Sequence, residues 1–568
     1  MTAREADRPG PGASRTATVP GIAGAGQLAL RARIPRPAVQ GLLALAVYLA
    51  VFIIGWTLPL VLHSGLPQVG QAEVDPNFYV WSWRWWPYAI SHGLNPLYSR
   101  QIGAPAGFDL AWTTTAPAVA VIMAPVTAAF GPITSANLTL VLAAPVSAWV
   151  AFLAARRLTG RFWAALIAGA VYGFSPYEIG HIASGQANLA VIMLLPLTLY
   201  LALLWRDGKL GPPAFVGLMA VTMAAEFYVF NEAFAEMAVL WAVGLLIGFA
   251  VARPADRTTV ARLARLVAIA FAVAVVLASP YVVYALRHYP AIGFTKSGAS
   301  LHLERLVDPP SGILLLVIVL ALAVLTWSSR LTRLLVILFV LIVALAIGPH
   351  PIIGARHLGP VPWAPLWSLP IARSAEPVRL MLFGYLVLAI IVAVWLSIPT
   401  RNRLLLASRW ILALAAVVAI LAYHPTVPSG SANPAAAVRP DALPTFFSAG
   451  LYQRYLRPGE IVVVVSDRGN AGMLFQADTN FYMRIAGGFI NVTLSDTTAL
   501  PAPVARLRHP TPAREQRFRA YVHRAGAGAI LVERAWAAPW MRIFGRMGLH
   551  GTPVGGMIVY RIPGTGAS

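Results

Sequence analysis

The chain contains no cysteine, which excludes disulfides, thiolate zinc sites and cysteine nucleophiles. Charge is scarce: 11% of the 568 residues are Asp, Glu, Lys or Arg, against about a quarter in soluble domains. Lysine occurs only at Lys209 and Lys296, so nearly every cation is an arginine. No internal repeat is present. What fills the chain instead is apolar: 58% of residues are hydrophobic, more than a soluble fold of this length can bury.

The net charge of +22 points at first to nucleic acid. Its distribution argues otherwise, because most of the basic residues sit in short loops between apolar runs or in the tail, so the charge mainly sets membrane orientation and favours anionic headgroups. The runs fall near 39–62, 113–130, 133–155, 162–176, 188–205, 212–230, 233–251, 263–286, 311–328, 331–347, 378–397 and 405–423. Arg156 to Arg161, Arg206 to Lys209, Arg253 to Arg265, Arg330 to Arg333, and Arg401 to Arg409 read as cytoplasmic gaps. With Arg31, Arg33 and Arg36 keeping the N-terminus inside, 63–155 crosses the membrane only once more. The run 113–130, broken by Pro117 and Pro125, is then interfacial or re-entrant. The expectation is an α-helical polytopic membrane protein of about eleven transmembrane helices.

The domains follow from this. Residues 1–38 read as a disordered cytoplasmic tail and 39–424 as the membrane domain, with outer loops 63–112, 177–187, 287–310 and 349–377. A Pro/Ser/Gly linker, 425–434, leads to 435–568, a small α/β domain outside the cytoplasm. There Ile461–Val465, Ala529–Val532 and Met557–Tyr560 read as strands, 512–525 as a helix, and Asp467–Asn470 as a turn. That domain has no nucleotide-binding glycine motif.

Candidate chemistry gathers in the outer loops. The first runs Val74-Asp75-Pro76-Asn77-Phe78-Tyr79-Val80-Trp81-Ser82-Trp83-Arg84-Trp85-Trp86, an aromatic density that suits the headgroup zone. Asp75 reads both as a helix N-cap before Pro76 and as a general base at the membrane surface; Glu73 is the neighbouring alternative. The second loop packs Glu178, His181, Gln186 and Asn188 between two apolar helices. Glu178 and His181 are three apart and share a helical face. With Asp75 they could hold a divalent cation such as Mg or Mn, although a solvated capping loop is the simpler explanation. Glu226, Glu232 and Glu236 lie near an outer hairpin, and either line a wet cavity or pair with arginine from another loop. Arg287, His288, Lys296, Arg373 and Arg379 are candidate phosphate ligands; for Arg379, an ion pair with Glu376 is the rival reading.

The layout resembles the bacterial membrane glycosyltransferases of the GT-C fold, which use polyprenyl-phosphate-linked sugars. The resemblance rests on the long first outer loop opening with an acid, on Asn95-Pro96-Leu97-Tyr98 followed by Ala104-Pro105-Ala106-Gly107, and on Phe174-Ser175-Pro176. Gly180-His181, Pro196-Leu197, and Leu369-Pro370 leading to Pro377-Val378-Arg379 are also similar. It covers roughly 39–400. The chain departs from the family pattern in having Glu73-x-Asp75 where an Asp-x-Asp or an Asp-Glu pair is expected. The resemblance implies an inverting transferase in the plasma membrane, with the C-terminal domain outside, Asp75 as base, loop cations on the donor phosphate, and an envelope glycan, lipid or protein as acceptor. Two other readings stand beside it: a non-catalytic scaffold that binds lipid-linked sugar, and a lipid or glycolipid transporter.

Overall fold

The computed structural model describes residues 36–57, 68–69, 75–288, 310–354, 356–368, 375–423, 438–439, 443–466, 470–487 and 511–563. Glu73, Lys296, Arg373, the 425–434 linker and nearly all of the 1–38 tail lie outside them, as do positions 467–469 of the expected turn.

The membrane domain is built from α1 (Arg36–Phe52), α2 (Asp75–Ser91), α3 (Ala124–Thr159), α4 (Phe162–Gly173), α5 (Pro176–Ser184), α6 (Leu194–Arg206), α7 (Pro212–Val229), α8 (Asn231–Val251) and α9 (Pro254–Arg287). It continues through α10 (Pro310–Thr326), α11 (Arg330–Ala346), α12 (Met381–Ser397) and α13 (Arg403–Leu421). Among the described residues, eight helical stretches are long and apolar enough to cross a membrane, and Phe162–Gly173 and Ser311–Thr326 are shorter apolar helices. The run 113–130 does not form a span of its own. It gives a short helix, Pro117–Ile122, and then the first turns of α3, which break at Gly131 (φ 84°, ψ 164°) ahead of Pro132. That backbone conformation is open only to glycine.

Glycine also sets how closely the helices pack. Gly169 and Gly173, one turn apart on α4, face α1 and α3. A Cβ at Gly169 would meet Tyr48 Oη at 2.1 Å, and one at Gly173 would meet Ala144 O and Ala148 N at 2.5 Å. Small residues at this spacing let helix backbones approach in lipid. Because the Gly173 neighbours are backbone atoms, Gly173→Ala is expected to force α3 and α4 apart and to lower the yield of folded protein in detergent. Gly180→Ala, where a Cβ meets nothing within 4 Å, is the matched control.

The C-terminal domain is a five-stranded mixed sheet of β1 (Ile461–Val465), β2 (Arg484–Ile485), β3 (Ala529–Glu533), β4 (Gly551–Val554) and β5 (Met557–Arg561), with helices α14 (Ala471–Asp478), α15 (Pro512–Ala525) and α16 (Ala538–Arg546). The strand order is β4-β5-β3-β1-β2, with β1 parallel to β2 and β3 and the remaining pairs antiparallel. Alternation sends the two faces to different cores. Val462, Leu531, Met557 and Val559 join the core that runs on into the membrane domain. Val463, Val465, Ile530, Val532 and Ile558 pack under α15 and α16 with Phe518, Trp540 and Phe544.

The expectation for the first outer loop needs correction. The aromatics of α2 do not sit wet in a headgroup layer: Trp81, Trp83 and Trp85 are at most 1% exposed. They fill the junction between the bundle and the C-terminal domain. Trp83 Nε1 donates to Thr139 Oγ1 (3.1 Å), Trp85 Nε1 to Pro96 O (2.9 Å) and Trp81 Nε1 to Gln476 Oε1 of α14 (2.7 Å). Phe481 lies edge-on to Trp81 and Trp85. Gln476 is fully buried and donates Nε2 to Gln101 O (2.7 Å) and Met483 O (2.8 Å). Ile485 N donates to Gln101 O, Ala104 N to Ile485 O and Gly103 N to Gly487 O. A buried indole N–H costs free energy unless it is paired, which is why a glutamine stands at the centre of this apolar seam.

Candidate active site

Asp75 is the first residue of α2. Its Oδ2 accepts from Gln186 Nε2 at 2.8 Å, and Gln186 Oε1 lies 2.6 Å from His181 Nδ1. Local sequence explains the arrangement. Ser175 caps α5, its Oγ accepting from Glu178 N, and Pro176 occupies the first helical position. Gly185, at φ 70°, ends the helix in the left-handed conformation. Gln186 N then donates back to His181 O at 2.9 Å, which brings the two side chains together.

Charge fixes the direction of this relay. An ionised Asp75 needs a donor, so Gln186 presents its amide N–H₂ to Asp75 and its carbonyl to His181. The proton between His181 and Gln186 therefore sits on Nδ1. Burial, helped by the Arg379 charge, pushes the His181 imidazole down to about 4 against the opposing pull of its Gln186 bond. The ring is neutral near pH 7. An unfolded histidine takes up its proton near 6.5, whereas the folded one resists until about 4. Stability is thus lost as pH falls from 6.5 towards 4. The expected result is a thermal transition in detergent that drops across this window for wild type and drops less for His181→Gln.

Tyr79, one turn after Asp75, is buried; its hydroxyl donates to Asn188 Oδ1 and lies 3.4 Å from Thr114 Oγ1. Burial and the Asp75 charge push the phenol up, so it stays a donor. Tyr177 sets its ring edge-on to His181, with centroids 4.4 Å apart. Tyr79, Thr114 and Tyr177 were not singled out from the sequence. The i, i+4 spacing of Asp75 and Tyr79 is the signal that would have found Tyr79.

Glu178 is not part of a solvated loop. It is 0% exposed, neither carboxylate oxygen has a hydrogen-bond partner, and burial pushes its carboxyl well above the usual range. Of the acids Glu226, Glu232 and Glu236, one forms the expected pair with an arginine from another loop. Glu232 pairs with Arg379, accepting from Nη1 through Oε2, while its Oε1 accepts from Glu376 N at 2.9 Å. Arg379 Nη2 lies 3.2 Å from Glu376 Oε2, and the guanidinium sits over the Phe230 ring. Glu226 Oε2 and Glu236 Oε2 are buried without a partner, as is Arg379 Nε. The Arg379 charge is felt at Tyr79, Tyr177 and His181, which puts the ion-paired arginine in the electrostatic field of the Asp75 cluster.

Arg287 and His288 are exposed at the end of α9. His288 stacks on Tyr284 and donates Nδ1–H to its carbonyl at 2.9 Å. This helix end is held against the segment between α2 and α3 by Trp112 Nε1 donating to Ala285 O and Tyr281 Oη donating to Ala111 O. Among the described residues no group of three or more His, Asp or Glu could hold a metal ion. Asp75 and His181 are joined through Gln186 rather than turned to a common point.

No family model matches the chain, and no curated protein matches it. Solved structures do. A mycobacterial arabinofuranosyltransferase, AftD, superposes with a TM-score of 0.58 at 16% identity, over 94% of this chain and 42% of that one. The oligosaccharyltransferase AglB of Archaeoglobus fulgidus, solved with an inhibitory peptide and dolichol-phosphate, gives 0.53 at 11% identity, over 93% of this chain and 75% of that one. ArnT of Cupriavidus metallidurans, bound to undecaprenyl phosphate, gives 0.50 at 14% identity, over 94% and 100%. The chain thus spans less than half the length of the arabinofuranosyltransferase. Its architecture is the GT-C fold of membrane glycosyltransferases.

Proposed function

We propose that the protein transfers a sugar from a polyprenyl-phosphate donor to an acceptor hydroxyl on the outer face of the plasma membrane. The observation that carries this reading is the Asp75–Gln186–His181 relay at the start of α2, set in a fold shared with membrane glycosyltransferases. The chemistry is one inverting displacement. Asp75 takes the hydroxyl proton, the acceptor oxygen bonds to the anomeric carbon, and the bond from that carbon to the phosphate oxygen breaks. The lipid phosphate leaves with the electron pair. One base suffices, and no covalent intermediate with the enzyme is needed.

Arg379 is proposed to stabilise the leaving phosphate, because its charge is felt at Tyr79, Tyr177 and His181 beside Asp75. Two of its nitrogens are held by Glu232 and Glu376, and Nε remains unengaged. Arg287 and His288, with Lys296 and Arg373, are proposed to meet the same phosphate from the loops. Gln186 and His181 position the base. Gln186→Leu is expected to lower turnover on the order of 10²-fold, the scale of a misplaced catalytic group, with little change in KM. Gln186→Glu is expected to fail as well, because it sets a second carboxylate against Asp75.

The test is a profile of envelope glycans and lipid-linked sugars in a strain lacking the protein, compared with the complemented strain. Loss of one glycan together with a build-up of one polyprenyl-phosphate sugar is the expected result. Unchanged profiles of both would overturn the reading. A lipid-linked sugar stranded on the inner leaflet would favour transport instead.

A further inference from the structure

The second face of the C-terminal sheet offers a surface that the transferase reading does not use. Its cover is α15 and α16, and the sheet stands between these helices and the membrane domain. Their outer sides are strongly basic. Arg517, Arg519 and Arg524 of α15 and Arg542 and Arg546 of α16 are all exposed. Glu515 is the one acid in the two helices, and it is taken up in an ion pair with Arg546. Arg519 Nη2 donates to Arg546 O at 3.1 Å, which ties the helices into one surface. Arg517, Arg524 and Arg542 make no ion pair among the described residues.

A merely solvated face mixes both signs of charge, and this one does not. Arg517 and Arg524 are seven residues apart, two helical turns, so they repeat along one flank with a rise of about 10 Å. Guanidinium groups present planar forks that fit carboxylate and phosphate oxygens. A lipid headgroup is the obvious anionic partner for a membrane protein, yet these helices lie on the side of the sheet turned away from the membrane helices. The charge is therefore offered to something beyond the bilayer.

We propose that the α15–α16 face binds an anionic polysaccharide, one carrying carboxylate or phosphate groups along its length. The face holds such a chain near the protein through several weak, salt-sensitive contacts rather than one tight site. This inference rests on the proposed placement of the C-terminal domain outside the cytoplasm but not on sugar transfer, since binding and transfer are measured separately.

The test uses the full chain in detergent, with polygalacturonate as the carboxylate polymer, polyphosphate as the phosphate polymer and neutral dextran as control. Wild type is expected to bind one or both anionic polymers at low salt, to lose them at high salt and to ignore dextran. The Arg517→Gln/Arg524→Gln/Arg542→Gln triple variant is expected to bind about tenfold more weakly or worse, three exposed charge pairs being lost. The corresponding triple Lys variant should recover part of the binding. Whichever polymer binds more tightly identifies the acidic group. Equal binding by wild type and the Gln variant would overturn the proposal, as would no binding to either polymer. Stronger binding to phosphatidylglycerol vesicles, abolished by the same substitutions, would overturn it in favour of a membrane surface. Thermal unfolding checks the variants' folding; if the triple variant does not fold, Arg517→Gln and Arg542→Gln singly are each expected to weaken binding about twofold, and no weakening in either would overturn the proposal.

Discussion

Asp75→Asn is expected to cut sugar transfer by about 10²–10⁴-fold, the range that a positioned general base contributes, at unchanged protein level in the membrane. The substitution is informative because so little else changes. Asn still offers a carbonyl oxygen to Gln186 Nε2, which now bonds Asp75 Oδ2, and Asn caps helices about as well as Asp. Relay geometry and helix start both survive, so the deficit isolates basicity. The readout is the lipid-linked sugar profile, with the donor accumulating as it does in the deletion strain. Tyr79→Phe, which removes the hydroxyl bonded to Asn188, should give a smaller loss. A fully active Asp75→Asn protein would leave Asp75 only a structural role and would sink the proposed base.

The second large effect is expected far from this chemistry. Gln476→Leu should destabilise the seam between the C-terminal domain and α2 by about 2–6 kcal/mol, because two buried polar groups lose their partner at about 1–3 kcal/mol each. The groups are Trp81 Nε1 and Met483 O, which both bond Gln476 now. Gln101 O keeps its bond from Ile485 N and is not orphaned. Limited proteolysis in detergent measures the outcome. The variant should release the C-terminal domain at protease levels that leave wild type intact. Equal resistance would mean that the seam is held by its apolar contacts alone.

What the sequence made legible, and what it hid, divides along physical lines. Apolar runs and strand alternation depend on local pattern, and there α6 to α13 and β1, β3 and β5 appear where the runs place them. The Pro-broken stretch 113–130 forms no long helix of its own, only Pro117–Ile122 and the first turns of α3, because proline and Gly131 act on their own backbone. The relay was half legible. Asp75, His181 and Gln186 stood out as polar groups in apolar surroundings, but their connection spans 111 positions between Asp75 and Gln186 and no periodicity encodes it. Arg379 shows the same limit: Glu376 is three residues away in sequence, while Glu232 closes the pair from 147 residues away. The α2 tryptophans were misplaced because composition alone cannot separate a headgroup from a protein partner. Both present an apolar body and a polar acceptor to an indole.

That partner arrives late. Trp81 and Gln476 are 395 residues apart, and chains grow at about 5–20 residues per second. For roughly 20–80 s of synthesis, α2 exists without the domain that covers it. During that interval Trp83 can already pair with Thr139 and Trp85 with Pro96, but the Trp81 flank has only the membrane surface or a chaperone to shelter it, and an edge this apolar invites capture by other nascent chains. A truncated protein ending before residue 470 would be left in that state permanently, so premature termination should be cleared by membrane proteases rather than accumulate as a stable bundle.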